Sequence, residues 1–313
     1  MSPARPGRTR LSVVMLVRNA QDCLAQSLES IENLADEIVL VDSGSSDRTC
    51  DIGRQYGAKL VERPLIDDFG KMRTNARSHA TGDWILWLDA GEQLTLEGSK
   101  ALRAFLDNQA DRNKAYMLLV VVPPAPGAIA GEQVGRIRLI PNRADLRFEG
   151  RVHEQIRPSI ETAQLTIEGL PWRVLRGPRE HDPQVKLSRA RRDLKLVELE
   201  IQEHGQQPRS LTTLGEALAG LGDPRGAVSC FRSAIRHSVP GSTLMREAYY
   251  GLLAALDDCD DCREQQIAVC VEALEVYPLD AQLLCAMGGY MQAKEQFDFA
   301  ARAYETAFEY GQV

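Results

Sequence analysis

The stretch DEIVLVDSGSSD, residues 36–47, joins a continuous apolar run to an acidic residue and a turn of small residues. The apolar run ends at Asp42, and residues 43–47 lead into a segment of helical character. In an open parallel sheet, ligands bind beyond the carboxyl ends of the strands, where an aspartate can accept from a ribose hydroxyl or a base N–H. Ser46 or Asp47 can cap the helix at the same time, because the cap lies after Asp42.

Similar apolar runs lie on both sides of this unit. LSVVMLV, AKLVER and DWILWLD begin at residues 11, 58 and 83 and are separated by segments of helical character. Continuous Val, Ile and Leu runs separated by helices are typical of a mostly parallel sheet covered on both faces. AYMLLVVVP, GRIRLIP and AQLTIEG follow with little helix between them, which indicates an added mixed or antiparallel section.

The pattern changes at about Val185, after which apolar residues recur at helical spacing. Two segments, LGEALAGLGDPRGAVSCFRSAI and MGGYMQAKEQFDFAARAYETAF, then align so that Gly215 lies over Gly288 and Phe231 over Tyr304. CVEALEVYP lies between them with a small residue at the corresponding position. A period of roughly 34 residues with small residues at fixed positions matches the tetratricopeptide repeat, a helix–turn–helix unit.

The composition limits the classes of protein and partner. The net charge is −7 and the pI about 5.4, so no basic face dominates and nucleic acid is not the expected partner. LSVVMLV and AYMLLVVV are too short to span a membrane. Seven cysteines, an odd and scattered set, indicate a reducing cytoplasm, and we read the C-x-x-C at residues 259–262 as a loop. We therefore expect a cytoplasmic protein, either free or peripheral at the inner membrane face.

A second acidic strand end is WILWLDAGEQL, residues 84–94. Strands of this kind often present two carboxylates one residue apart, so that a divalent metal can bridge them to a nucleoside diphosphate. Here Asp89 is followed at that spacing by Gly91, and the next carboxylate is Glu92. Lys71 and Arg73 precede this strand, and a cation near a bound diphosphate would offset charge that develops on the leaving group. The alternative for these cations is the solvated face of an ordinary helix.

Four segments together resemble a known family. SVVMLVRNA, IVLVDSGSSDRT, FGKMRTNARSHATGDWILWLDAGE and FEGRVHEQI occur in the order found in family 2 glycosyltransferases with the GT-A fold. The chain is most similar to the bacterial branch of lipopolysaccharide-core and peptide S-glycosyltransferases, some of which carry tetratricopeptide repeats. The resemblance covers roughly residues 10–183. It implies an α/β GT-A domain followed by an all-α tetratricopeptide-like helical repeat domain, divided as a flexible tail at 1–10, the GT-A domain at 11–183, a linker helix at 184–206 and repeats at 207–313.

The resemblance also implies an activity in cell-envelope polysaccharide biosynthesis. An inverting enzyme would move a sugar from a nucleotide diphosphate sugar, expected to be a UDP-sugar, to a hydroxyl or thiol. The acceptor would be a glycan, a lipid-linked glycan or a peptide, and the repeats could hold a protein or peptide partner. The alternative is a catalytically degenerate transferase whose repeats act as a scaffold.

The site residues follow from the resemblance position by position. Donor contacts would come from both strand ends and from the basic helix. Val17, Arg18 and Asn19 would line the nucleobase pocket, Asp42 would bind the base or ribose with Ser43 beside it, Lys71 and Arg73 would lie toward the diphosphate, Asp89 would be the first acid of the Asp-x-Asp pair, and His153 and Glu154 would lie on the acceptor side.

The resemblance further implies a metal and a general base. The family usually has Asp-Ala-Asp-Glu where this chain has Asp-Ala-Gly-Glu, so we expect Mg²⁺ or Mn²⁺ to be held weakly by Asp89, Glu92 and His181. Metal-free catalysis by Lys and Arg is the alternative. A carboxylate opposite the leaving group must take the acceptor's proton, and Glu154, oriented by His153, is the candidate base, with Glu92 as the competing one.

Overall fold

The protein consists of an α/β unit and a helical unit, as predicted. The computed structural model describes residues 8–124, 131–177, 181–259 and 263–310. The chain divides into two compact units, Met1–Val185 and Lys186–Val313. Residues 1–7 of the predicted tail and 260–262 of the C-x-x-C segment lie outside the described residues. No helix in the described ranges has both the length and the apolar character needed to cross a bilayer.

The α/β unit contains one eight-stranded sheet with the order β3-β2-β1-β4-β7-β6-β8-β5. The pairs β1–β2, β1–β4 and β2–β3 are parallel, whereas β4–β7, β6–β7 and β5–β8 are antiparallel. Strands β3, β2, β1 and β4 therefore form a parallel half. The strands β7, β6, β8 and β5 form a mixed half, in which β6 and β8 pair in parallel. The strands are β1 Leu11–Val17, β2 Glu37–Asp42, β3 Lys59–Glu62, β4 Trp84–Trp87, β5 Glu92–Leu94, β6 Lys114–Val122, β7 Glu132–Pro141 and β8 Thr166–Arg176.

Helices cover both faces of the sheet. Successive β4 residues belong to different apolar clusters: Trp84 and Leu86 pack in one, and Ile85 and Trp87 in the other. Because neighbouring side chains of a strand point to opposite faces, a strand that is apolar throughout requires cover on both sides. The helices of this unit are α1 Leu24–Ile31, α2 Thr49–Gln55, α3 Phe69–Arg77, α4 Leu96–Asn108 and α5 Arg157–Thr162.

The register of the parallel strands brings the acidic strand ends to one edge. Val17 at the end of β1 pairs with Asp42 at the end of β2. Val14 of β1 pairs with Trp87, the last residue of β4, and Asp89 follows two residues later. The carboxyl ends of β1, β2 and β4 thus lie side by side, which is where an open parallel sheet binds its ligands.

The second unit is built from helices throughout its described residues. Its shorter helices begin at defined caps: the side chains of Asp223, Ser242 and Asp280 each accept the backbone N–H three residues later. These caps fix where each of the three helices begins. The helices are α6 Pro183–His204, α7 Pro208–Gly220, α8 Pro224–His237, α9 Thr243–Asp257, α10 Arg263–Val276, α11 Ala281–Ala293 and α12 Phe297–Tyr310.

The aligned glycines and aromatic residues make the same contact in both repeats. A Cβ atom on Gly215 of α7 would lie 2.8 Å from the ring of Phe231 on α8. A Cβ atom on Gly288 of α11 would likewise lie 2.7 Å from the ring of Tyr304 on α12. In each pair the aromatic ring occupies the space that a side chain would need, so the sequence repeat corresponds to a repeated packing contact.

The variant Gly215→Ala should destabilise the helical unit by about 1–3 kcal/mol, because the Phe231 ring is fully buried and cannot move aside. Gly289→Ala is the matched control, since its Cβ would lie 3.7 Å from the Tyr304 hydroxyl in ordinary contact. That variant should gain about 0.5–1 kcal/mol from replacing a helical glycine. Urea unfolding followed by far-ultraviolet circular dichroism measures both changes. Equal midpoints for the two variants would contradict the packing role of Gly215.

Candidate active site

The ends of β1 and β2 are joined through the turn at residues 43–47. Ser43 donates to the Val17 carbonyl from its backbone N–H at 3.0 Å and from its hydroxyl at 3.1 Å. The Asp42 carboxylate accepts the backbone N–H groups of Gly44 and Ser45 at 3.1 and 3.0 Å. Asp42 therefore caps this turn, and the Val17 side chain lies in the core. The predicted contact of Asp42 with a base or ribose stays a prediction and needs lone pairs beyond those used by the turn.

Asn19 ties the segment after β1 to the same turn. Its backbone has a φ of 47°, its N–H donates to the Ser45 hydroxyl at 2.9 Å, and its side-chain oxygen accepts the Ser46 N–H at 2.9 Å. Arg18, next to it, is exposed. The two segments predicted to contact the donor's nucleoside thus form one hydrogen-bonded wall at the edge of the sheet.

The segment at residues 148–155 is fixed to the start of α3. The N–H groups of Phe69 and Gly70 donate to the carbonyls of Arg151 and Gly150 at 2.9 and 3.1 Å. The Thr74 hydroxyl accepts the backbone N–H of residue 148 at 2.9 Å. The predicted acceptor segment is therefore held against the helix that carries the predicted diphosphate cations.

Arg73 of α3 bridges the two sides of the site. Its Nε donates to Glu154 Oε1, and its Nη2 donates to Asp89 Oδ1 at 2.8 Å. The guanidinium carbon lies 5.3 Å from the Trp87 ring centroid and 5.7 Å from that of Phe148. Burial alone would lower the pKa of Arg73, but the charges of the two carboxylates outweigh burial and raise the pKa above its ordinary value. Arg73 remains a fixed cation between the predicted base and the predicted donor-side acid.

Lys71, the other cation predicted for the diphosphate, has a different environment. Its ammonium group is mostly exposed and lies 3.0 Å from Asp68 Oδ2, one residue before the start of α3. Arg77, further along the same helix, donates to the Arg143 carbonyl at 2.6 Å. Of Lys71, Arg73 and Arg77, only Arg73 forms an ion pair with Asp89 and Glu154 among the described contacts.

Residues 89–92 form a tight turn that explains the glycine at the position of the expected second acid. The Glu92 N–H donates to the Asp89 carbonyl at 2.9 Å, and Gly91 has a φ of +95°. A bond from the fourth residue to the first with positive φ at the third is the type II pattern, which requires glycine or asparagine there. Glu92 turns back, and its Oε2 accepts the Asp89 N–H at 3.0 Å.

Two arginines that sequence reasoning missed complete the site. Arg138 of β7 donates from Nη2 to Asp89 Oδ2 at 3.1 Å and contacts Glu92 Oε1 with the same nitrogen. Arg176, the last residue of β8, donates from Nε to Glu92 Oε1 at 3.0 Å, and its Nη2 lies 3.6 Å from Asp89 Oδ2. An arginine inside the apolar run GRIRLIP was a usable signal for Arg138, since a buried cation needs a partner.

The two acids of the turn respond differently to this environment. Burial would raise the pKa of Asp89, but attraction by the three guanidinium groups outweighs it and holds that pKa well below its usual range. Burial and the nearby Asp89 charge raise the pKa of Glu92, although Arg138 and Arg176 act in the opposite direction. Asp89 is therefore a permanent anion, and Glu92 is the acid for which ionisation is less favourable.

The three predicted metal ligands have other partners in the structure. Both oxygens of Asp89 and one oxygen of Glu92 accept from guanidinium groups, and the other Glu92 oxygen accepts a backbone N–H. His181 Nε2 lies 2.6 Å from the Pro123 carbonyl oxygen. Among the residues that the structure describes, no group of three or more His, Cys, Asp or Glu side chains could hold a metal ion. The shared metal site of Asp89, Glu92 and His181 stays a prediction. In this structure guanidinium groups pair with the two carboxylates, and a backbone carbonyl lies at the His181 ring.

The predicted acceptor segment is a closed loop around His153 and Glu154. Glu149 and Gln155 exchange two backbone hydrogen bonds of 2.9 Å, which close the loop. His153 is exposed at its tip with a φ of 50°, a conformation in which histidine is more common than most residues. Glu154 contacts Arg73, whereas Glu92, the competing base candidate, is buried under two arginines. The geometry favours Glu154 over Glu92 as the carboxylate that an acceptor can reach.

Three comparisons relate this chain to known proteins. Residues 12–112 match the family model described as Glycosyl transferase family 2. A TPR repeat-containing protein of Synechococcus elongatus is 30% identical over 251 residues, which cover 78% of this chain and 60% of the relative. An uncharacterized glycosyltransferase of Rickettsia felis is 32% identical over 114 residues, which cover 36% of this chain and 40% of the relative. The chain thus spans less than two thirds of the length of these relatives.

Among solved structures, the mannosyltransferase PcManGT from Pyrobaculum calidifontis, in complex with GDP-Man and Mn²⁺, superposes with a TM-score of 0.44. The two sequences are 18% identical, and the superposition covers 87% of this chain and 89% of that one.

The ion pair between Arg138 and Glu92 should be strongly coupled in the free energy of unfolding. Arg138→Met removes one partner of a buried pair, and we expect a loss of about 3–5 kcal/mol. Adding Glu92→Gln should recover part of that loss, because a neutral amide needs no cation. A double-mutant cycle of urea unfolding energies measures the coupling. Strictly additive losses would show that the two side chains act independently.

Restoring the second acid should be unfavourable. Gly91→Asp places an L side chain at a φ of +95°, and we expect it to lower the free energy of unfolding by about 1–3 kcal/mol. Gly91→Ala is the control, because it imposes the same backbone strain without a carboxylate. A similar loss in both variants identifies the backbone as the cause. Full stability of either variant would refute this account of the turn.

Proposed function

We propose that the protein is an enzyme that transfers a sugar from a nucleoside diphosphate sugar, with UDP as the expected nucleotide, because residues 12–112 match the Glycosyl transferase family 2 model. The acceptor would be a hydroxyl or thiol of a glycan, a lipid-linked glycan or a peptide. The observation that supports this most strongly is the bridge from Glu154 through Arg73 to Asp89, at the ligand-binding edge of the sheet. One buried cation holds the base candidate and the donor-side acid next to each other.

The proposed reaction is a single displacement with inversion at the anomeric carbon. Glu154 takes the proton of the acceptor, whose oxygen or sulfur forms the new bond to the anomeric carbon as the bond to the diphosphate oxygen breaks. The nucleoside diphosphate leaves with the electron pair of that bond. Arg73 contacts Oε1 of Glu154, so we assign the proton to Oε2. The guanidinium groups beside Asp89 offset the negative charge that develops on the leaving group.

The donor's nucleoside would lie against the wall formed by residues 17–19 and 42–46. Backbone groups of that wall are already paired within it, as are the carboxylate of Asp42 and the amide oxygen of Asn19. A rigid wall of this kind would place the sugar nucleotide without reordering the chain, which favours binding. The diphosphate would then extend toward Asp89, where the cations converge.

The helical unit has a proposed role in binding rather than in chemistry. Its repeated glycine–aromatic contacts and the similarity to a TPR repeat-containing protein support a stack of helix–turn–helix units. Such stacks present extended surfaces, and we propose that this one binds a peptide or protein that is the acceptor or carries it.

Glu154→Gln should lower the rate at which nucleoside diphosphate is released from the donor by about 10²–10⁴-fold, the usual contribution of a general base. The affinity for the nucleotide should stay within a few fold of that of the parent. Glu149→Gln is the matched control, because Glu149 lies on the same loop but pairs with Arg147 at the surface. Its rate should be unchanged. The measurement is release of nucleoside diphosphate from a panel of UDP- and GDP-sugars, with nucleotide affinity from calorimetry.

The same panel separates the two functions that the sequence leaves open. An enzyme releases UDP or GDP from at least one donor, and that release depends on Glu154. A scaffold descended from a transferase binds no sugar nucleotide in a saturable way. That result would overturn the proposed function as a whole.

A further inference from the structure

The carboxylates of the 89–92 turn are occupied by cations of the protein itself. In a metal-dependent site of this design, the acids would ligate a divalent ion, and the ion would bind the diphosphate. Here Asp89 Oδ1 accepts from Arg73, and Asp89 Oδ2 accepts from Arg138. Glu92 Oε1 accepts from both Arg138 and Arg176. Three guanidinium groups therefore bind the carboxylate oxygens that would otherwise be available to a metal ion.

These side chains form a gradient of burial from the core to the open edge. The exposed fractions of the Glu92 and Arg138 side chains are 2% and 6%, so this pair is the inner anchor. Arg73 is 13% exposed, Arg176 is 28% exposed, and Asp89 is 35% exposed. A ligand that approaches the edge of the sheet meets Asp89 and Arg176 first, with Arg73 beside them. The outer part of the cluster therefore contains Asp89 with Arg176 and Arg73, and the Glu92–Arg138 pair forms its buried part.

Guanidinium groups suit a diphosphate for geometric reasons. Each is planar, stays charged at any physiological pH and offers five N–H donors, of which two can bind one phosphate group in parallel. Glu92 binds Arg138 and Arg176 through a single oxygen and so fixes the two groups relative to each other. Pre-set donors of this kind stabilise a diphosphate without any reorganisation when it binds.

We infer that Arg73, Arg138 and Arg176 hold the diphosphate of the donor in place of a divalent metal, and that Asp89 and Glu92 position these three arginines. The inference rests on the proposed function, because it assigns the means of binding at the same site. The ligand is the diphosphate group of a nucleoside diphosphate, and its affinity should be the same with and without a divalent cation.

The test is calorimetric titration of the full chain with UDP and, separately, with GDP, in EDTA and in Mn²⁺. The better-bound nucleotide should have dissociation constants within about threefold of each other in the two conditions. Arg176→Ala should weaken binding about 10-fold or more, the loss expected for one charge-assisted hydrogen bond, and Mn²⁺ should not restore it. Arg176→Lys should fall between the two, because it keeps the charge but loses the planar fork.

Arg112→Ala is the matched control for general loss of positive charge. Arg112 is exposed and lies 3.7 Å from Asp83, which precedes β4 at the opposite edge of the sheet. Its UDP affinity should equal that of the parent. Electron paramagnetic resonance of Mn²⁺ gives a second readout. UDP alone binds some of the Mn²⁺ and lowers the signal of the free ion. Addition of the protein to the mixture of Mn²⁺ and UDP should not change that signal further.

The possible failures point to different conclusions. Binding that tightens more than 10-fold in Mn²⁺ and is lost in EDTA would overturn the inference and leave the transferase proposal in place. Unchanged affinity in Arg176→Ala would also overturn it. Absence of UDP and GDP binding in every condition would remove the proposed function, and the inference with it.

Discussion

One guanidinium group, that of Arg73, connects segments of the site that lie far apart in the chain. It donates to Glu154 from Nε and to Asp89 from Nη2, and it lies against the rings of Trp87 and Phe148. Two carboxylates drawn into a half-buried position would repel each other without a cation between them. Residues 150–151 are hydrogen-bonded to the start of α3, which brings Glu154 to Arg73. Asp89 reaches Arg73 from the end of β4.

Much of the fold follows from patterns that a short window of sequence contains. Runs such as IVLVD are apolar at every position, so both faces of the strand must be covered, and helices supply that cover. Parallel strands also share a direction, and acidic residues that follow them must therefore meet at one edge. For this reason Asp42, Asp89 and their neighbours could be assigned to one region from the sequence, whereas the precise hydrogen-bond partners of Asp42 could not.

The remaining site residues depend on long-range register, which no local pattern contains. Arg138 reaches Asp89 because β7 pairs antiparallel with β4, and Arg176 reaches Glu92 because these two residues are partners between β8 and β5. In the sequence, nothing distinguishes Arg138 and Arg176 from Arg136 and Arg173, which lie in the same two strands. Gly91 is a similar case: the residue types suggest a depleted metal site, but its φ of +95° shows a turn that requires glycine. The position of His181 in the chain suggests a metal ligand, but no local pattern predicts that its ring lies beside a backbone carbonyl.

The helical unit contains a contact that joins successive repeats. The ring of Phe231 on α8 occupies the space beside Gly215 on α7, and it also contacts the position where Gly251 on α9 would carry a side chain. Neighbouring modules of a linear repeat array can open one at a time when the interface between them is weak. A fully buried ring shared by three helices opposes such fraying. The helices α7, α8 and α9 should accordingly open as one cooperative block. Hydrogen-exchange protection should then cross the boundary between the first repeat, α7–α8, and the next repeat, which begins with α9, and should end beyond α9.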